Sequence, residues 1–403
     1  MGSSSPDNNK VSENLENSSA NKEIDPKELI KKRPGGDDPE VITGTSGDDL
    51  IDGFGGNDTI TGLGGDDILI AGDGDDVIDG GTGTNRLYGD AGDDTITSSG
   101  TGDFVDAGEG DNNITLASGA FGGTYQSGTG DDIYNLQEGY NSSRGNNQYV
   151  SIDSGSGSDT INVNVALNGS NIRLGDGDDT LIVSKAFNSY AYQNFYGGFG
   201  NDNINIKEGA TSRTGGVRAD GDSGNDILTI SGDFSVTANG VSVDGGLGDD
   251  TINISNATGV SKSNSRHWFR GNDGNDQILG NSEGNRLIGG RDSDQIEGGG
   301  GNDLIYGNYI HSDSYYNKSE YIDIAIYSGK SSDYLVSRAT DTTFGYAYYI
   351  QDKRDGSPDG LDTLYEIDKL RFSDGEVNLE NYYNSQLREG AGNDIIIGTS
   401  GDD

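Results

Sequence analysis

Cysteine is absent from the 403 residues, so no disulfide can staple the chain and thiol chemistry is excluded. Histidine is nearly absent as well, with only His267 and His311, which leaves too few ligands for an ordinary zinc centre. Apolar residues make up 30% of the chain, low for a compact core, and no apolar run reaches the length of a membrane span. The N-terminus lacks the apolar segment of a signal peptide. Bases are scarce: 26 Lys and Arg stand against 68 Asp and Glu, a net charge of −42. Nucleic acid is therefore not an expected partner, since it calls for a basic footprint, and anionic membrane surfaces are disfavoured. A chain this acidic drifts toward disorder unless cations neutralise it. With soft ligands missing and hard oxygen donors in excess, the expected cofactor is calcium, as multiple ions.

What is abundant is glycine, 68 residues against 5 prolines, and it is periodic. From Gly44 to Thr115 the chain divides without a gap into eight nine-residue units: GTSGDDLID, GFGGNDTIT, GLGGDDILI, AGDGDDVID, GGTGTNRLY, GDAGDDTIT, SSGTGDFVD and AGEGDNNIT. Position eight is always aliphatic (Ile51, Ile60, Leu69, Ile78, Leu87, Ile96, Val105, Ile114). Position six is acidic or amide (Asp49, Asp58, Asp67, Asp76, Asn85, Asp94, Asp103, Asn112). A flexible linker has no reason to keep an aliphatic residue every ninth position. Glycines such as Gly55 and Gly56 allow a left-handed, closely stacked turn, in which backbone carbonyls and the position-six carboxylate face an ion. A second tandem block, GNDGNDQIL, GNSEGNRLI, GGRDSDQIE and GGGGNDLIY, runs from Gly271 to Tyr306 with Asp276, Asn285, Asp294 and Asp303 at position six.

These units resemble the GGxGxDxUx nonapeptide of the RTX (repeats-in-toxin, hemolysin-type calcium-binding) family. The resemblance implies one turn and one short strand per nonapeptide, two nonapeptides per coil, and calcium between turns stacked on one side. It also implies a secreted or cell-surface bacterial protein, exported unfolded through a type I secretion channel and folding on calcium outside the cell. The fold class expected is all-β: a right-handed parallel β-roll or β-helix solenoid with a β-rich C-terminal capping segment.

Between the tandem blocks the same turn recurs at wider spacing, with Asp132, Asp159, Asp179, Asp202, Asp226 and Asp250 at position six. The spacing predicts a long-coil helix in which each coil keeps one calcium turn and replaces the other by a variable arc. Asp58, Asp76, Asp94 and Asn112 then continue through these six to Asp276 and Asp294 as one column. Asp49, Asp67, Asn85 and Asp103 form a shorter opposite one. The expected metal ligands are the aspartates of both series together with Asp303 and Asp394.

Charge separates arcs from scaffold: residues 44–115 hold seventeen acids and one base, whereas 116–270 hold nine bases. Aromatics accompany them. Phe187, Tyr190, Tyr192, Arg213, Arg266 and Trp268 are the candidate ligand-binding set, with a glycan or other cell-surface ligand in view, because function gathers on loops held by a rigid scaffold. The plainer reading of the same residues is solvated decoration.

Domain boundaries follow: a disordered leader (1–40) with a short helix capped by Asp25, a tandem β-roll (41–115), the long-coil helix (116–270), a second roll (271–306), a tyrosine-rich β cap (307–388), and the start of a further repeat (389–403). The last six residues repeat Gly44–Asp49, and the expectation is that the natural protein continues. Stretches such as Asp323–Gly329 and Leu370–Gly375 are similar to the β-rich segment that follows repeats in secreted RTX proteins.

No catalytic constellation emerges. HExxH is missing, no serine–histidine–acid set is recognisable, and the DPH motif of alginate epimerases is absent. The string Gly221-Asp222-Ser223-Gly224 copies a trypsin-like motif but sits in repeat register. The leading reading is a structural or adhesive calcium-binding segment. The alternative is a polysaccharide-modifying enzyme, lyase or epimerase-like, with Lys185, Arg213, Arg218 or Arg266 as proton abstractor.

Overall fold

The computed structural model describes residues 30–119, 122–138, 149–167, 169–185, 192–209, 215–235, 240–308 and 321–389. They build a parallel β-solenoid of two long sheets, of 17 and 16 strands, plus a two-stranded pair, Gly232–Asp233 with Ala257–Thr258. Consecutive strands alternate between the sheets, so each coil gives one strand to each. Parallel crossovers of this kind wind right-handed.

The position-eight residues and, in the long coils, their register partners on the arc strands form the core. In the first sheet Ile51, Leu69, Leu87, Val105, Tyr125, Ile152, Ile172, Phe195, Ala219, Val243, Phe269, Leu287, Ile305 and Leu364 lie in one register and are buried. The second sheet opposes them with the column that starts Ile60, Ile78, Ile96, Ile114, Tyr134 and Ile161. In the tandem blocks there is little more core than this. In the long coils the second-sheet strands add a further buried column, Leu116, Leu136, Val163, Val183, Ile206 and Ile230. The arcs close over Val165, Leu167 and Phe234. The long arcs thus widen the core as well as extending the surface.

In the turn of GFGGNDTIT the left-handed backbone falls at the second and fourth positions rather than the third. Phe54 has φ +70° and Gly56 φ +97°, and Gly55 carries no such angle. Phe54 and Leu63 show that the second position tolerates a side chain in this conformation, pointing to solvent.

Part of the leader is ordered. Residues 35–43 are a ninth nonapeptide, GGDDPEVIT, with Glu40 at position six, and Ile30–Pro34 pairs in parallel with Asp49–Asp52. Composition alone hid this unit because proline and glutamate replace the usual fifth and sixth residues. The helix expected after Asp25 begins outside the described residues, and a strand occupies Ile30–Pro34.

At the C-terminal end the stack changes direction. Leu361–Tyr365 continues the first sheet in parallel, then Gly345–Asp352 and Tyr334–Asp341 add antiparallel strands. Ile324–Ile326 and Lys369–Phe372 continue the second sheet, and Gly375–Asn378 closes it antiparallel. The cap is not β alone: a helix, Leu379–Glu389 (α1), follows. Its Gln386 accepts from the Val336 N–H at 2.8 Å and donates to the Tyr334 carbonyl at 3.1 Å, fastening the helix to the last strand. The edge where further coils would pair is thus covered, as solenoids require. The repeat restart beyond it, including Asp394, lies outside the described residues.

Candidate metal centre

The glycine-rich turns stack so that each position-six residue touches its equivalents above and below. Along one side, one Oδ1 of Asp76 accepts the backbone N–H of Asp58 at 2.6 Å, and Asp94 accepts that of Asp76 at 2.8 Å. The same step recurs through Asn112, Asp132, Asp159, Asp179, Asp202, Asp226, Asp250, Asp276 and Asp294, at 2.7–3.0 Å. Gaps of 18 to 27 residues in sequence therefore become one step in space. Glu40 opens the column by donating its N–H to Asp58, and Asp323 and Asp368 extend it into the cap. The opposite side carries the short column Asp49, Asp67, Asn85 and Asp103, and a second one from Asn285 through Asp303 to Asp362. Sequence reading missed Glu40, Asp323, Asp362 and Asp368. The signal was an apolar residue two places on (Ile42, Ala325, Leu364, Leu370), in units where the glycines that normally mark the turn are fewer or missing.

One oxygen of each carboxylate is thereby used. The other, Oδ2, is buried and accepts no hydrogen bond from the protein at eleven positions of the long column, Asp58, Asp76, Asp94, Asp132, Asp159, Asp179, Asp202, Asp226, Asp250, Asp276 and Asp294. The same holds for Asp67 and Asp303 opposite, and for Oδ1 of Asp49, the first of its column. Each such residue is at most 1% exposed. Leaving so many buried acceptors without donors is costly unless a cation or proton meets them.

The surroundings of Oδ2 are also oxygen. A Cβ placed on Gly197 would stand 2.3 Å from Asp202 Oδ2 and 2.4 Å from the Gly221 carbonyl of the next coil. At Gly221 the corresponding distances, to Asp226 Oδ2 and the Gly245 carbonyl, are both 2.3 Å. Asn112, which stands in place of an aspartate, donates its amide N–H₂ to the Gly110 carbonyl of its own turn at 2.9 Å and carries no charge to neutralise. Carboxylate facing carbonyl across a turn fits a hard cation.

Burial raises the proton affinity of these carboxylates. Asp76 is pushed up to about 6, Asp202 and Asp226 to about 7, Asp250 to about 8 and Asp294 to about 9, each against the opposing pull of one backbone N–H. Neighbouring aspartates along the column raise them further. Burial and the neighbouring Asp362 carboxylate raise Asp303, whereas at Asp362 burial raises the carboxyl against the pull of the Asp303 backbone N–H.

Asp103 departs from the others. Ser98 donates its hydroxyl to Asp103 Oδ2 at 2.6 Å and Gly100 donates its N–H at 3.0 Å, while Asn85 serves Oδ1 at 2.8 Å. Protein donors satisfy both oxygens, so this turn, expected to bind metal, gives a cation no unsatisfied carboxylate oxygen. Asp49 Oδ2 is similarly served by Thr45. Asp202→Asn is expected to remove about one bound calcium from the folded chain and Asp103→Asn none, measured as metal retained after gel filtration in calcium buffer. Equal losses would show that Ser98 does not stand in for the ion.

Three of the candidate ligand-binding residues can be placed. Tyr192 and Trp268 both lie on the outer face of the first sheet, Tyr192 53% exposed. Arg266 sits on an exposed arc. Phe187, Tyr190 and Arg213 lie outside the described residues. His267 is buried, and its Nδ1 accepts the Val241 N–H at 3.0 Å, a structural position with its proton affinity pushed down to about 4 by burial. Among the described residues no three acidic or histidine side chains converge on one point, so each turn offers a single carboxylate and backbone carbonyls.

Stacked turns with one buried carboxylate per step define a calcium-type parallel β-solenoid. The sequence comparison agrees: residues 34–69, 61–96, 88–120, 268–283, 279–308 and 390–403 match the family model of the RTX calcium-binding nonapeptide repeat. Over these segments the chain carries RTX-type calcium-binding nonapeptide repeats, and calcium is the ion such repeats bind. The long-coil middle falls outside the matched segments, yet its turns continue the same column. No curated protein matches the chain.

Proposed function

We propose that this chain is an extracellular segment that calcium folds and stiffens, serving as a structural or adhesive rod. The observation that carries the reading is the line of buried, donorless Oδ2 atoms. A solenoid that encloses so many carboxylates is poorly stable until cations neutralise them, which suits a protein kept unfolded where calcium is low and folded where it is high. The residues that would hold calcium are the eleven aspartates of the long column with Asp67 and Asp303, and the ion would supply charge neutralisation. Affinity per site is expected at about 10⁻⁴–10⁻³ M, as in extracellular modules. Limited proteolysis across a calcium titration tests this: residues 44–306 should pass from labile to resistant in that range. Resistance already complete in chelator at neutral pH would overturn the reading.

A second reading, a polysaccharide-modifying enzyme, draws support from Asp220 and Asp244. These largely shielded carboxylates stand on adjacent strands of the first sheet's outer face beside Arg218 and Arg270. Formation of unsaturated uronate absorbance on incubation with polyuronates would establish it in place of adhesion.

A further inference from the structure

On the outer face of the first sheet, alternate side chains along each strand line up from coil to coil. Register places Asp153, Arg173, Tyr196, Asp220, Asp244 and Arg270 in one outward column. Beside it run Asn171, Asn194, Arg218, Ser242 and Trp268, with Arg286 on the following strand. The sign of the charge changes along this face. Before residue 170 the two columns present Asp52, Asp106 and Asp153 against a single base, Arg86; beyond it they present Arg173, Arg218, Arg270 and Arg286 against Asp220 and Asp244. In a chain with a net charge of −42 this is a local excess of guanidinium groups.

The guanidinium groups are arranged around two rings. Arg173 and Arg218 flank Tyr196, at 5.6 and 5.5 Å from its centre. Arg286 and Arg270 lie 4.7 and 6.0 Å from that of Trp268. The two acids orient arginines: Asp220 pairs with Arg218, and Asp244 holds Arg270 at 2.7 Å, with their side chains only 10% and 14% exposed. Arg218 keeps half of its side chain in solvent. Strands Ser170–Asp176 to Arg286–Arg291 give this strip a length of about 24 Å, at ~4.8 Å per coil.

We propose that this strip binds an extended, carboxylate-bearing polysaccharide lying along the solenoid axis. Planar guanidinium forks match carboxylates in two-point contacts, and Tyr196 and Trp268 hold those forks in place through their rings. The arginines compensate, at this one face, for the repulsion the rest of the molecule exerts on an anion. The strip exists only on a folded solenoid, so the proposal rests on the calcium reading above.

Trp268 is the sole tryptophan of the chain, so its emission reports directly on this face. The full chain, calcium-loaded and checked by circular dichroism, is titrated with short oligogalacturonates and, separately, with neutral cello-oligosaccharides. A saturable change in Trp268 emission is expected with the acidic sugar, weakening several-fold as salt rises. Arg173→Gln and Tyr196→Ala, two or more coils from the reporter, should each weaken it about tenfold while leaving the calcium-dependent dichroism unchanged. A response to the neutral sugar alone would overturn the assignment of carboxylate recognition. No response to either sugar, or unaltered affinity in both variants, would overturn the site. A chain that stays unfolded in calcium would instead sink the underlying calcium reading.

Discussion

In EDTA at about pH 8 the far-UV dichroism of this chain is expected to collapse toward that of an unfolded polypeptide, and in EDTA at about pH 5 most of it should persist. The cause is the aspartate column. In the unfolded chain these carboxyls lose their protons near pH ~4, whereas burial moves the same groups up to about 6 at Asp67 and Asp76, about 7 at Asp159 and Asp179, and about 9 at Asp294. Between those limits the calcium-free folded chain binds more protons than the unfolded one. The stability this represents is fully present below the unfolded value and is lost as pH rises through the folded values. Each tenfold displacement in proton affinity is worth about 1.4 kcal/mol, so a few such groups rival the ~5–15 kcal/mol that holds an ordinary domain together. Calcium replaces the protons: at about pH 8 it should restore the dichroism and release protons, and its apparent affinity should fall as the solution is acidified. Identical spectra in EDTA and in calcium at both pH values would show that the carboxylates need no cation.

Gly224→Val is expected to cut the solenoid in two. Gly224 has φ +137°, and a Cβ there would stand 1.7 Å from the Gly200 carbonyl. The neighbour is backbone, tied to the coil of Gly224 itself by Gly200 N–H to the Ser223 carbonyl at 2.8 Å, so it cannot swing aside as a side chain would. Separating these two coils also breaks the step in which Asp202 N–H reaches Asp226. Because each coil touches only its neighbours, the damage should stay local: coils before residue 200 and after residue 245 fold, and protease cuts between them. Bound calcium should fall by the sites adjoining the break. Gly47→Ala is the control, since its nearest foreign atom, Thr45 Oγ1, is 4.0 Å away and it carries no left-handed angle. Similar behaviour of the two variants would mean that the stack tolerates spreading at Gly224.

Most of the scaffold was legible because one period encodes both strand and turn. An apolar residue at position eight and an acid at position six suffice to set register, even across the arcs between Asp132, Asp159 and Asp179. Three features were less accessible. The unit containing Glu40 and the cap acids Asp323, Asp362 and Asp368 keep the carboxylate but only part of the glycine pattern (Gly35 and Gly36, Gly360) or none of it, so the motif fades where the geometry persists. Asp103 fits the motif, yet Ser98, at position one of the same unit, hydrogen-bonds its free oxygen; only the structure shows that a hydroxyl reaches it. The guanidinium strip was invisible for another reason. Arg173, Tyr196, Arg218 and Arg270 look scattered in sequence, and become neighbours only when residues are compared at equal distance from the inward position-eight side chain.

The aspartate ladder also has unequal ends. Every step runs the same way, with a backbone N–H donating to the carboxylate of the following coil, so the two ends behave like those of a polar filament. At the C-terminal end the cap holds ready acceptors: Asp323 for Asp294 and Asp362 for Asp303. At the other end Asp49 presents a carboxylate oxygen with no donor. A coil added on the N-terminal side of a formed stack finds an acceptor waiting for its N–H, whereas one added on the other side must bring its own. The cap is thus a template as well as a lid, offering acceptors onto which the coils that precede it in sequence can dock.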